Sequence, residues 1–222
     1  MNKKLKKIET FYTTKDYDGG IKFLQSIKSS LDDSVYHYNL GTFLAKKNEL
    51  SQARFHFEVA KDLNFNKSML ENNLKVVKQT LQVNIIEEPE TITEHLIGGV
   101  DAFPKDYFLS FFLVILLISS IIYKKYKSLT ASILLMLLAL VPLGTNKYIK
   151  TKYKQAVVIE NSPVFDGPSD VFEQINEAPN GVKIILSEKR ENNWFFIDYP
   201  TALRGWIKLK HAKLIKEYKN VH

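Results

Sequence analysis

The spacing of apolar residues changes twice along the chain. Residues 1–82 carry apolar positions at helical intervals with few breakers. Residues 108–143 hold two uncharged runs, 108–122 and 129–143, separated by a short stretch containing Lys124, Lys125 and Lys127. From Gln155 onward the pattern becomes short runs of β-branched and aromatic residues between turn residues. This order predicts a multidomain membrane protein. An N-terminal all-α repeat region spans 1–82 and an acidic linker spans 83–106. A transmembrane hairpin spans 107–146, with spans at about 107–123 and 129–145. A small all-β barrel spans 147–222.

A bilayer core needs about 20 mostly apolar residues in a helix. Each uncharged run approaches that length with its flanking aromatics. One long span is excluded, because a central Lys costs roughly 2.5–3.5 kcal/mol while an apolar residue gains roughly 0.3–0.6. The three lysines therefore sit among headgroups and the chain turns back there. Two spans place both flanking segments on one side of the membrane. Ser119 and Ser120 offer a surface for packing against other spans, as in a subunit of a transport complex.

Within the first segment, Tyr38, Leu40-Gly41, Leu44, Leu50, Ala53, Phe57, Ala60 and Leu63 follow the tetratricopeptide pattern of two short helices. Gly41 and Ala53 are small where the helices cross. Phe57 fills the space against the next repeat, and Asn48-Glu49 makes the turn. Asp32 or Asp33 caps the first helix and Ser51 helps start the second. A partial copy lies 33 residues upstream, where Gly20, Leu24 and Ile27 match Ala53, Phe57 and Ala60. Another first helix lies downstream, with Leu70, Leu74 and Val77 on one face. About two and a half repeats result. Their concave groove is expected to present Tyr38, Asn39, Thr42, Lys46, Asn72 and Asn73 to a protein partner, the amides holding a peptide backbone.

The last segment predicts five or six strands: 156–159, 171–175, 182–186, 194–199, 203–207 and 212–215, with 161–168 as a loop. Closure into a barrel would remove their exposed edges. Pro163, Gly181-Val182, Trp194 and Gly205-Trp206-Ile207 stand in the order of landmarks of the bacterial SH3-like domain, which this stretch resembles. The resemblance implies a groove for cell-wall peptides or proteins, with Trp194, Phe196 and Tyr199 as its ligand-binding aromatics. Trp206 is expected in the core.

Composition narrows the chemistry. There is no cysteine, and the five histidines lack metal-ligand spacing. No phosphate loop or nucleophile elbow occurs. The acidic group Glu87, Glu88 and Glu90 reads as a solvated linker. Hence no enzyme activity, cofactor or metal is expected. The net charge of +7 is clustered beside the apolar runs, which suits anionic headgroups better than nucleic acid. Three lysines in the tight turn oppose five on the flanks, so charge bias leaves the side open; SH3-like barrels of this type favour the periplasm.

The order of parts, with Tyr38-Asn39-Leu40-Gly41 and Asn72-Asn73-Leu74, resembles the BatE-type proteins of bacterial aerotolerance (Bat) operons. That resemblance implies an inner-membrane scaffold working with von Willebrand A-type membrane proteins and a MoxR-type ATPase. The alternative is a protein that binds or senses peptidoglycan through the SH3-like domain. Members of that family often begin with a cleavable signal peptide; Met1-Asn-Lys-Lys-Leu-Lys-Lys has the charged start of one without the apolar stretch that should follow.

Overall fold

The computed structural model describes residues 3–65, 67–88 and 105–216. The chain forms two compact units, one of Met1–Glu88 with Lys154–His222 and one of Pro89–Tyr153.

Five helices open the first unit: α1 Lys3–Thr13, α2 Tyr17–Ser26, α3 Asp33–Lys46, α4 Leu50–Asp62 and α5 Lys67–Leu81. They follow one another as antiparallel neighbours about a core of Leu24, Leu40, Phe43, Phe57, Leu70 and Leu74. Asp32 caps α3, its carboxylate accepting from the N–H of Ser34 (2.9 Å) and Val35 (3.3 Å). Asn48 and Asn64 take left-handed φ values of 65° and 60° just beyond α3 and α4, a conformation asparagine tolerates at helix ends. Close packing falls where the small residues stand. A Cβ on Gly41 would lie 2.8 Å from the Phe57 ring, and one on Gly20 2.7 Å from Phe43. Phe57 thus packs inside its own repeat, and Phe43 makes the contact to the preceding one. Ser51 does not cap α4. Its hydroxyl donates to the carbonyl of Ile159 (3.1 Å), 108 residues away.

The second part of this unit is one antiparallel sheet of seven strands in the order β3-β2-β6-β5-β4-β1-β7. The strands are β1 Lys154–Val158, β2 Ser162–Phe165, β3 Gln174–Ala178, β4 Lys183–Glu191, β5 Trp194–Tyr199, β6 Gly205–Lys208 and β7 Ala212–Leu214. Three expectations change. The 161–168 loop contains β2. The strand expected at 171–175 is mostly loop, with β3 starting at Gln174. The hydrogen-bonded ladder is open, leaving β3 and β7 as edges where closure was expected. The core holds Val158, Val164, Ile184, Leu186, Phe195, Ile197 and Ile207. Along β5 and β6 the alternate residues Trp194, Phe196, Trp206 and Lys208 therefore take the opposite face.

The helical part and the sheet, read separately from the sequence, pack together. Phe55 and Val59 of α4 form a buried cluster with Val157 of β1 and Ile215.

The second unit contains two helices, Lys105–Tyr126 and Leu129–Lys152. Lys127 turns the chain between them with φ 53°. The Ser119 hydroxyl donates to the Ser132 carbonyl (3.0 Å), and the Ser132 hydroxyl donates back to the Ser119 carbonyl (3.2 Å). The two-span expectation is met only in part. Among the described residues one helix, over Leu109–Tyr126, is long and apolar enough to cross a membrane; the second contributes a shorter apolar stretch, Leu129–Leu140. The same helix runs on past Leu140 to Lys152, but the side chains of 141–152 lie outside the described residues. Residues 89–104 of the expected acidic linker lie outside the described residues altogether.

Candidate functional site

Two surfaces of the first unit carry the residues singled out by sequence, and a buried charge cluster joins its halves.

The first surface is a cleft between α1 and α3. Leu5, Ile8, Glu9 and Tyr12 fall on one stripe of α1, and Asn39, Thr42 and Phe43 on the facing stripe of α3. They line an open cleft of about 310 Å³, mainly apolar in character. Leu5 and Tyr12 remain exposed at its mouth, and Lys46 lies with its ammonium 5.5 Å from the Tyr12 ring centre. Asn39 is half-buried. Its Nδ2 donates to the Val35 carbonyl (2.7 Å), and the Thr42 hydroxyl to the Tyr38 carbonyl (2.9 Å).

The remaining groove residues sit towards α5. Tyr38 stacks on Phe65 at 4.2 Å between ring centres, and its hydroxyl accepts from Asn73 Nδ2 (3.2 Å). Asn72 is exposed. The cleft therefore brings Asn39, Thr42 and Lys46 together. Tyr38 of α3 and Asn73 of α5 form a separate pair between those two helices. The α1 residues that complete the cleft, Leu5, Ile8 and Tyr12, escaped the sequence reading. Their i, i+3, i+7 spacing was the available signal.

The second surface is the outer face of β2, β5 and β6. Phe165 meets Trp194 edge-on at 5.3 Å, and Phe196 meets Trp206 edge-on at 5.5 Å. Lys208 lies 4.9 Å over the Trp194 ring and Lys189 4.8 Å over Phe196. Trp206 is half-buried on this face, where a core position was expected, because it alternates with the core residue Ile207. Tyr199 lies apart from the pairs. Its hydroxyl donates to the Glu87 carbonyl.

That contact leads to the cluster between the halves. The Arg54 side chain, 1% exposed, reaches Glu87 with both terminal nitrogens (2.5 and 2.7 Å), and its Nη1 also donates to the Gly181 carbonyl (2.5 Å). Glu87 further accepts from the Lys183 N–H (2.7 Å) and lies 3.2 Å from Lys78 Nζ. Glu87 is thus a buried anchor and not a solvated linker residue. Glu58 pairs with Lys183 Nζ (3.1 Å). Burial would raise its carboxyl, but Lys183, Arg54 and Lys61 together outweigh that and hold it at about 2. Beside the cluster, Nδ1 of His37 and Nδ1 of His56 approach to 2.8 Å. Burial lowers His37 to about 4 and His56, further disfavoured by His37 and Lys213, to about 3. Both are neutral at pH 7. Every residue of α4 from Ala53 to Ala60 is buried, which the sequence did not signal, because Arg54, His56 and Glu58 read locally as a polar face.

Among the described residues no group of three or more His, Asp or Glu is placed to hold a metal. No family model, curated protein or solved structure matches this chain.

Proposed function

We propose that this protein is a non-catalytic adaptor anchored in the bacterial inner membrane, which recruits a protein partner through the cleft between α1 and α3. The carrying observation is that cleft. Its apolar floor, with the Asn39 amide at its side, suits an apolar side chain presented on a peptide backbone. The convex side of the repeats is covered by the sheet at α4, which leaves the α1–α3 side for a partner.

Membrane anchoring is supported by the exposed apolar side chains of the first long helix, among them Leu117 (67% exposed) and Ile121 (64%). In water such a surface would associate. The residues before and after the apolar segment belong to one packed unit, and a hydrogen-bonded interface cannot straddle a bilayer. The chain must therefore leave the membrane on the side it entered, which supports a hairpin. The SH3-like character of the sheet, a periplasmic location and partners of the von Willebrand A and MoxR types rest on the resemblance of architecture to Bat-operon proteins.

A photo-crosslinker in place of Thr42 tests the adaptor reading. The expected result is a discrete crosslinked partner in membranes that is lost in the Leu5→Glu/Tyr12→Glu variant. An unchanged crosslink pattern would rule the cleft out.

The paired aromatics under Lys189 and Lys208 favour a second reading, binding of peptidoglycan at the outer sheet face. Co-sedimentation of the full chain in detergent with purified sacculi checks it. Retention should fall about tenfold in Phe196→Ala/Trp206→Ala. No retention of the wild type at low salt would remove this reading.

A further inference from the structure

The open sheet has two edges, and they are treated differently. Near the β7 edge, Ile215 packs on Phe55 of α4, and Lys213 Nζ bonds Gln52 Oε1 (2.7 Å). Among the described residues the β3 edge has no strand beyond it. Four of the five β3 residues are exposed and only Ala178 is buried. Proteins ordinarily protect such an edge with lysines, a proline or a covering element. Here β3 contains none of these residues, and the Glu177 N–H donates to the Asn176 side chain (2.8 Å). Beside the edge, Val171 is 93% exposed, and Phe172 and Ile175 are each 49% exposed. Phe172 seats at Gly167 and Ile175 at Gly205, so these two are held in place.

Charge identifies the occupant. The protein carries +7 overall, yet residues 160–178 contain five acids and no Lys or Arg. Asp170 pairs with Lys208 (2.5 Å), while Asp166, Glu173 and Glu177 face solvent around the edge. We propose that β3 accepts an extended, lysine- or arginine-rich segment of a protein partner as an eighth strand, its apolar side chains resting on Val171, Phe172 and Ile175. Backbone hydrogen bonds would supply the register, and alternate side chains the preference for basic over acidic sequence. This site is independent of the α1–α3 cleft and stands or falls without it.

The test uses the full chain in detergent micelles and a fluorescent peptide of about seven residues alternating Lys and Val. Anisotropy should show saturable binding. Placing Pro at the central Val should weaken it about tenfold, because Pro removes a ladder donor. Glu173→Lys/Glu177→Lys, two exposed positions that leave the core untouched, should weaken binding of the Lys/Val peptide about tenfold and strengthen that of a Glu/Val counterpart. Equal binding of the intact and Pro-containing peptides would overturn the strand-addition mode. Equal binding of the Lys/Val and Glu/Val peptides to the wild type would overturn the charge preference. Self-association of the wild type that Ile175→Pro abolishes would assign the edge to a second copy and overturn the proposal as well.

Discussion

At the residue scale, the decisive group is Arg54. Its guanidinium is fully enclosed and bonds a carboxylate from the segment after α5 and a carbonyl from the turn before β4. Removing one partner of a buried ion pair leaves the other charge without compensation. Arg54→Ala should therefore cost about 3–5 kcal/mol, seen as a lowered thermal midpoint by circular dichroism. Arg54→Met/Glu87→Leu, which removes both charges, should recover much of that loss. The His37–His56 pair makes stability pH-dependent. An unfolded chain takes up protons near pH 6.5, whereas the folded pair stays neutral to about pH 4. Between those values the unfolded state binds more protons, so stability falls as pH drops. Lys28 and Lys213 oppose protonation and Asp33 favours it. The loss should be on the order of 6 kcal/mol from pH 7 to pH 4, counting one proton for each histidine. Glu58, held at about 2 against an ordinary 4.5, extends the decline to lower pH. Urea midpoints across that range check the slope, which His56→Gln should flatten.

At the element scale, the α3–α4 crossing depends on Gly41. A methyl group there would meet the Phe57 ring at 2.8 Å and the Ala53 carbonyl at 3.1 Å. Gly41→Ala should be destabilising by about 1–3 kcal/mol through overpacking, despite a gain in helix propensity of nearly 1. A neutral or raised melting temperature would show that the crossing can relax. The helices were legible because their signals are local matters: the Asp32 cap, the Asn48 turn and the small residues at crossings. The strands were legible only where alternation coincided with burial. Trp194–Tyr199 reads directly as β5. The run 171–175 misleads, because Val171 and Phe172 are apolar yet exposed, and hydropathy alone cannot distinguish a buried run from a surface one.

At the scale of the whole molecule, the apolar segment that we propose enters the bilayer lies in sequence between the two parts of one packed unit. This makes a sharp topological prediction. The chain has no cysteine, so Thr13→Cys and Glu188→Cys, both at exposed positions, can be labelled in intact cells with an impermeant maleimide. The two must behave alike, labelled together or protected together. Labelling of one alone would show that the α4–sheet interface does not form in the membrane-bound protein. Of the candidate site, Asn39, Thr42 and Lys46 were readable from repeat spacing. The α1 side of the cleft was not, because it is assembled from a helix about 30 residues earlier.

What the sequence determined by itself is what depends on neighbours along the chain: helix periods, caps, uncharged runs and the alternation of β5. Tertiary structure alone decided which polar residues would be buried. Arg54 and Glu87 stand 33 positions apart, and Gly181 lies 127 from Arg54. A charge looks solvated in any local reading until folding encloses it and supplies the partners that make its burial tolerable.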